Sequence, residues 1–263
     1  MSETRNSDYK LPKIIFISVV RDFKMYDRLV RKNVYNSGAD FIAFDNRNEN
    51  IGIASRYNFF LDGYDFAEPA WFVFCHEDWE AKESIASKLN SLSTGILYGP
   101  IGAKSIVTEK KIYRYSVGEC WQSDRNGENL KKEKGLLKKG IVDTFDCQCL
   151  IVHSTLIGKY SLRFDPSFSF DLYVEDFCIN SFEKYGIVSK VLPMKCRHWS
   201  HGKLTDRFYS SKSYLEGKYS GIYTTTAGGA MIGNTGTKKV ISFKHSIFNH
   251  PEKYWIMLTI KRK

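Results

Sequence analysis

Positions 76 to 78 read His76, Glu77, Asp78. One imidazole and two carboxylates in three residues form a donor set suited to a divalent cation and, through it, to phosphate. Further groups with chemical potential lie along the chain: Arg21, Asp45 with Asn46, Arg56, Glu175 with Asp176, and His198 with His201. A carboxylate such as Glu175 or Asp176 can serve as a general base toward a hydroxyl. The same pair at the start of a helix would also be explained by its dipole. The acids at 76–78 have an equally plain alternative, a solvated turn at a strand end. The rest of the chain has to separate these readings.

Residues 71–75 are continuously apolar or aromatic and end in charge. A strand exposed on one face would alternate, so this run predicts a strand buried on both faces, as in the middle of an α/β sheet. Residues 13–20 predict another such strand, ending at Arg21. Residues 24–37 have helical spacing and stop at Gly38. Residues 40–44 predict a second strand with Asp45 and Asn46 at its carboxyl end. Residues 50–56 open a helix running to about Gly63. Two strand–helix units in the first sixty residues argue for a parallel α/β sheet, where ligands bind beyond the carboxyl ends of the strands. Residues 81–94 read as helix or loop, 96–103 as a strand broken by glycines, and 142–152 as one returning strand. A short helix from 154, a helix from Glu175 to Gly186 and a strand at 187–192 follow. The lysine-rich stretch 104–140 reads as a long excursion, a candidate hairpin over the site. The glycines at 228–236 read as flexible loop, and 243–263 as a last amphipathic stretch.

The 263 residues suit one large domain or a domain with an appendage. A disordered lead is expected over 1–12, a catalytic domain over 13–202 and a basic, aromatic extension over 203–263. The formal charge of +10 is uneven: residues 201–263 carry 11 Lys+Arg against 3 Asp+Glu, and residues 104–140 carry 10 against 5. Such patches favour nucleic acid, an anionic membrane face or a phosphorylated substrate. The six cysteines fit no zinc spacing and several lie in apolar runs, which predicts reduced thiols, Cys75 among them as core. The polar start predicts no signal peptide, and apolar runs fall far short of a membrane span. A cytoplasmic protein is expected, peripheral at most on the inner face of the cell membrane. No P-loop, dinucleotide fingerprint or nucleophile elbow is present.

In order and spacing, the chain resembles the GT-A glycosyltransferases of family 2. It is most similar to the bacterial capsule and O-antigen subgroup with an H-x-D motif in place of D-x-D. The residues that carry the resemblance are Val19 to Arg21, Phe44 to Asn46, Asn50 to Ala54 with Asn58, Phe74 to Asp78, Phe164 with Asp165, Tyr173 to Asp176 with Gly186, and His198 to Gly202. The resemblance implies a Rossmann-like, mixed and mostly parallel sheet flanked by helices. It implies an inverting transfer of a sugar from a nucleotide donor to a hydroxyl of a surface polysaccharide or lipid-linked oligosaccharide. Asp45 and Asn46 would meet the nucleoside, with Val20, Arg21, Asn50, Arg56, His76 and Glu77 completing the nucleotide-sugar site. Asp78, His76 and His198 would hold Mn²⁺ or Mg²⁺ against the diphosphate. Asp176, or Glu175 beside it, would be the base.

Two departures matter. Histidine at 76 softens the metal site, and the pair at 175–176 leaves the base ambiguous by one position. The basic tail would dock on an anionic membrane or form a homodimer contact. A non-catalytic nucleic-acid module is the competing class, since tyrosines can stack on bases. Against it, the charge lies mostly outside the α/β core and no nucleic-acid motif appears. A metal-dependent phosphate-ester hydrolase ranks last, for want of a nucleophile or a second metal cluster.

Overall fold

The computed structural model describes residues 12–200 and 204–243. The expected lead at 1–12, His201 and the amphipathic stretch 243–263 fall wholly or almost wholly outside these residues.

The first strand, β1 (Ile14–Val20), is buried along its whole length. Ile15, Ile17 and Val19 face one apolar layer, and Ile14, Phe16 and Val20 face the other. Strand β2 (Asp40–Asp45) and strand β3 (Trp71–Cys75) both pair with β1 in parallel. Strand β4 (Trp79–Ala81) follows β3 after three residues and belongs to a second sheet. Strands β5 (Leu97–Gly99) and β6 (Ile101–Val107) are split at Pro100 and also part between the two sheets. The expected single strand at 96–103 is therefore two. Strand β7 (Lys111–Gln122) turns back on β6, and β8 (Lys131–Lys134) turns back on β7. The lysine-rich excursion is thus a long, ordered hairpin system.

The expected strand at 142–152 is three: β9 (Ile141–Val142), β10 (Thr144–Phe145) and β11 (Cys149–His153). Asp143 breaks the run because its carboxylate accepts from the Ser105 amide (2.8 Å) and hydroxyl (2.5 Å) and from Lys104 (2.6 Å). Strands β12 (Ser189–Val191) and β13 (Cys196–His198) come next. The last are β14 (Tyr223–Thr224), β15 (Met231–Ile232) and β16 (Lys239–Phe243). The main sheet runs β2-β1-β3-β11-β5-β12-β9. Its pairings are parallel at β2–β1–β3 and β5–β12 and antiparallel at β3–β11–β5 and β12–β9. The mixed α/β architecture expected from the sequence holds, but the main sheet is not mostly parallel: its parallel and antiparallel ladders are equal in number. The second sheet runs β10-β6-β7-β13-β4, with β8 and β16 also on β7.

Helix α1 (Phe23–Tyr26) passes into a π turn at Asp27–Arg31 and, after Asn33, a 3-10 turn at Val34–Asn36. The single helix expected over 24–37 stops early because the Asn33 amide bonds Leu29 O (3.0 Å) and Ala81 O (2.9 Å), competing with the backbone ladder. Helix α2 (Ile53–Gly63), α3 (Ala86–Leu89) and α4 (Ser154–Tyr160) precede α5 (Tyr173–Tyr185). As expected, α5 ends at Gly186, left-handed at φ 67°, whose amide bonds Phe182 O at 2.8 Å.

Helix α6 (Asp206–Lys218) packs with α2, α4 and α5 on one face of the main sheet, where Phe208, Leu215, Tyr219, Ile232 and Phe243 join the larger core. Residues 204–243 thus share the core of residues 13–200. The glycine-rich piece is ordered: β14 and β15 pair, and any Cβ on Gly233 would lie 2.1 Å from Gly221 O. The described cysteines are all free, and five of the six are buried.

Candidate active site

Where β3 ends, the chain leaves one sheet and enters the other through His76, Glu77 and Asp78. The His76 amide bonds Gln148 O (3.1 Å) and the Trp79 amide returns to His76 O (3.2 Å), fixing a tight turn. Strand β13 lies antiparallel to β4 with His198 opposite Trp79, and the Trp199 amide bonds Asp78 O at 2.8 Å. The two-sheet topology therefore delivers His198 to Asp78.

His198 Nε2 stands 3.2 Å from Asp78 Oδ1, and His76 Nδ1 stands 3.9 Å from the same oxygen. The 3.2 Å pair is charge contact without hydrogen-bond geometry, since both atoms remain without a hydrogen-bond partner, as does His76 Nε2. One ligand atom from each of His76, Asp78 and His198 falls within 4.8 Å of the others, and all three side chains are about nine-tenths buried. Buried polar atoms left unsatisfied are costly. The Asp78 oxygen and His198 nitrogen 3.2 Å apart, with the His76 ring beside them, form a group that could hold a metal ion. Burial alone would raise the Asp78 carboxyl, but the His198 and His76 imidazoles and the Arg125 guanidinium hold it well below the usual carboxylate range. Burial would lower His198, but the Asp78 carboxylate outweighs it and lifts the imidazole to about 9. Burial lowers His76.

His76 and Asp78 open onto a cavity of about 420 Å³ lined also by Val19, Arg21, Asn46, Asn50, Ile51, Gly52, Ile53, Glu77, Arg125, Ser169, Phe170 and Arg207. Glu77 braces its floor: Oε2 accepts from the Arg21 and Asp22 amides (2.5 and 2.8 Å), and Oε1 accepts from Arg125 (3.2 Å). Arg125 belongs to the turn between β7 and β8, so the hairpin does reach the site. Asn46 spends its amide on Ile51, donating to the carbonyl (2.9 Å) and accepting from the N–H (3.0 Å). Asn50, left-handed at φ 50°, accepts from Arg21. Phe170 stacks on His76 (centroids 5.5 Å apart, 28° between planes) and carries the Arg207 guanidinium 4.5 Å from its centroid. Arg207 is fixed by Asp171 at 2.5 Å.

Of the residues singled out in the sequence, Arg21, Asn46, Asn50, His76, Glu77 and Asp78 share this cavity, and His198 joins its metal group. Val20 is buried and contributes its carbonyl, which accepts from the Asn46 amide at 2.8 Å. Asp45 is exposed and paired with Arg47 at 2.5 Å. Arg56 donates to Asp45 O (3.3 Å) and to Glu49. Neither Asp45 nor Arg56 lines the cavity.

Glu175 and Asp176 lie in the first turn of α5, both 1% exposed and outside the lining. Glu175 Oε1 accepts from the Thr225 hydroxyl (2.6 Å) and Oε2 has no partner. Its burial pushes the carboxyl up to about 8. Asp176 Oδ1 accepts from Lys218 (2.7 Å) and Tyr219 (2.8 Å) of the α6 region, and burial still leaves its carboxyl raised. Sequence reasoning passed over Arg125, Phe170 and Arg207. Arg125 sits in the stretch read as an excursion, Phe170 just before α5 and Arg207 in the tail, and no local pattern marks them.

No family model matches the chain, and no curated protein matches it in sequence. Among solved structures the chain is similar to GalNAc-T7, crystallised with UDP, GalNAc and Mn²⁺, at 9% identity and a TM-score of 0.47 over 80% of this chain and 51% of that one. It thus spans about half the length of that protein. It is also similar to the inositol-1-phosphate CTP transferase of T. maritima, at 16% identity and a TM-score of 0.34 over 74% of each chain.

Proposed function

We propose that the chain is a glycosyltransferase that moves a sugar from a nucleotide donor to a hydroxyl of a surface polysaccharide or lipid-linked oligosaccharide. The observation that carries this reading is the buried His76–Asp78–His198 group opening onto a cavity rimmed by three arginines. A divalent ion held by His76, Asp78 and His198 would supply positive charge against the departing nucleoside diphosphate. Two imidazoles and one carboxylate suit Mn²⁺ better than Mg²⁺, which prefers oxygen and water.

Arg21, Arg125 and Arg207 would bind the phosphate oxygens through paired N–H groups. Val19, Asn46 and the turn Ile51 to Ile53 would face the nucleoside. The base is assigned to the α5 pair. Both of the pair lie outside the cavity lining; of the two, Glu175 has the oxygen without a hydrogen-bond partner and the raised carboxyl that suit a base working near neutrality. Asp176 holds α6 through Lys218. Displacement from the face opposite the diphosphate would invert the sugar centre. An acceptor on a lipid carrier would bring the protein to an anionic membrane face.

Calorimetric titration with UDP, GDP, CMP and dTDP, with and without Mn²⁺, tests this. Binding of one nucleotide, strengthened by Mn²⁺ and losing that gain in Asp78→Asn, is the expected result. Indifference to all four overturns the reading. Steeply salt-dependent RNA binding in its place would favour the nucleic-acid module.

A further inference from the structure

His198 has two ring nitrogens, and only one can serve a metal. Nε2 faces Asp78 Oδ1 at 3.2 Å, while Nδ1 lies 3.3 Å from Gln122 Oε1. Gln122 closes β7 and stands in register beside His198 of β13. The backbone reinforces this neighbourhood, because the Ser123 amide bonds His198 O at 3.0 Å. On its other side Gln122 stands in register with Lys131 of β8. The Gln122 amide turns its carbonyl oxygen to His198. A carbonyl only accepts, so Nδ1 must carry the hydrogen. Once a cation displaces the other ring proton, the Nε2 lone pair faces Asp78 and His76. Gln122 and His198 form a directional pair across two adjacent strands, ending at Nε2, which has no hydrogen-bond partner.

We infer that Gln122 is a positioning residue that fixes the tautomer and ring orientation of His198 for a divalent cation. This rests on the metal-group reading above. Outer partners of metal-bound imidazoles set ligand geometry, and losing one costs roughly 10–100-fold in affinity.

The test titrates Mn²⁺ alone, without nucleotide, and counts free ion by electron paramagnetic resonance. Wild type, Gln122→Met, Gln122→Glu and Asp78→Asn are compared. Gln122→Met keeps the length of the side chain but replaces the carbonyl with a thioether, only a weak acceptor. It is expected to bind Mn²⁺ roughly 10–100-fold more weakly while melting at the wild-type temperature without metal. Gln122→Glu restores an acceptor and is expected to recover most of that loss. In ¹⁵N-histidine-labelled wild type loaded with Zn²⁺, the His198 proton should reside on Nδ1.

Wild-type affinity in Gln122→Met alongside a collapse in Asp78→Asn would overturn the role of Gln122 and leave the metal group standing. A proton on Nε2 in the Zn²⁺ form would do the same. A wild type that binds neither ion would overturn the metal group and this inference with it.

Discussion

Glu175 and Asp176 are neighbours on α5 and equally buried, yet their carboxylates meet different partners. Asp176 has a lysine and a tyrosine, whereas Glu175 has one hydroxyl and an empty second oxygen. With a folded carboxyl near 8 against an unfolded value of 4.5, the native state binds more protons than the unfolded chain between those limits. Stability therefore falls as pH rises through that window and levels off above it. Glu175→Gln removes this dependence. The variant should melt close to wild type at pH 4 and above it by about 5 °C or more at pH 8, read by thermal melts across the range. A constant offset at all pH values would contradict the assignment. In the sequence the two acids could not be told apart, because their partners Thr225 and Lys218 come from the tail. His76 and Asp78 were legible because they are two residues apart, whereas their third partner, His198, depends on the β13–β4 pairing.

At the scale of elements, local signals transferred well. The apolar runs of β1 and β3 and the glycine that stops α5 are short-range properties of the chain. The failures share one cause, a distant group that overrides a local pattern. Asn33 reaches Ala81 and cuts the first helix, and Asp143 reaches Ser105 and divides the returning strand. The join between α5 and α6 is likewise long-range, with Lys218 bridging Asp165 and Asp176 at 2.7 Å each. Removing one partner from a buried pair leaves the other charge uncompensated. The lysine side chain is 27% exposed and the aspartate 2%, so the loss is partly screened. Lys218→Met should destabilise the protein by about 2 kcal/mol in urea denaturation, with Asp176→Asn in the same background recovering part of it. Equal midpoints for Lys218→Met and wild type would show that the bridge contributes nothing.

Across the whole molecule, the tail is where the sequence was least informative. Its polarity and glycines suggested an appendage, yet Phe208, Leu215, Tyr219, Ile232 and Phe243 lie in the larger core. Five such side chains at about 2 kcal/mol each represent roughly 10 kcal/mol, comparable to the entire stability of an ordinary domain. A chain ending at residue 203 is therefore expected to be unfolded or aggregated, seen as lost near-ultraviolet dichroism. A soluble, cooperatively melting truncation would refute this. The uneven charge also acquires a location: β16 sets Lys239 beside Lys111, and Lys238 bonds Thr108 O at 3.1 Å, so the two basic stretches meet at one end of the second sheet. Among the described residues no helix is long and apolar enough to cross a membrane.

The parallel pairing of β16 with β7 also bears on how the protein is made. A ribosome delivers β7 long before β16, and at ordinary elongation rates the interval is on the order of 10 s. During that time the first half of β7 offers an open strand edge, and the apolar bed for α6 stays uncovered. Arg207 and Thr225 arrive late as well, so a nascent chain holds His76 and Asp78 well before the site around them is complete. A nucleotide bound as proposed would then stabilise the finished molecule while doing little for its assembly, and chaperone demand should peak just before β16 emerges.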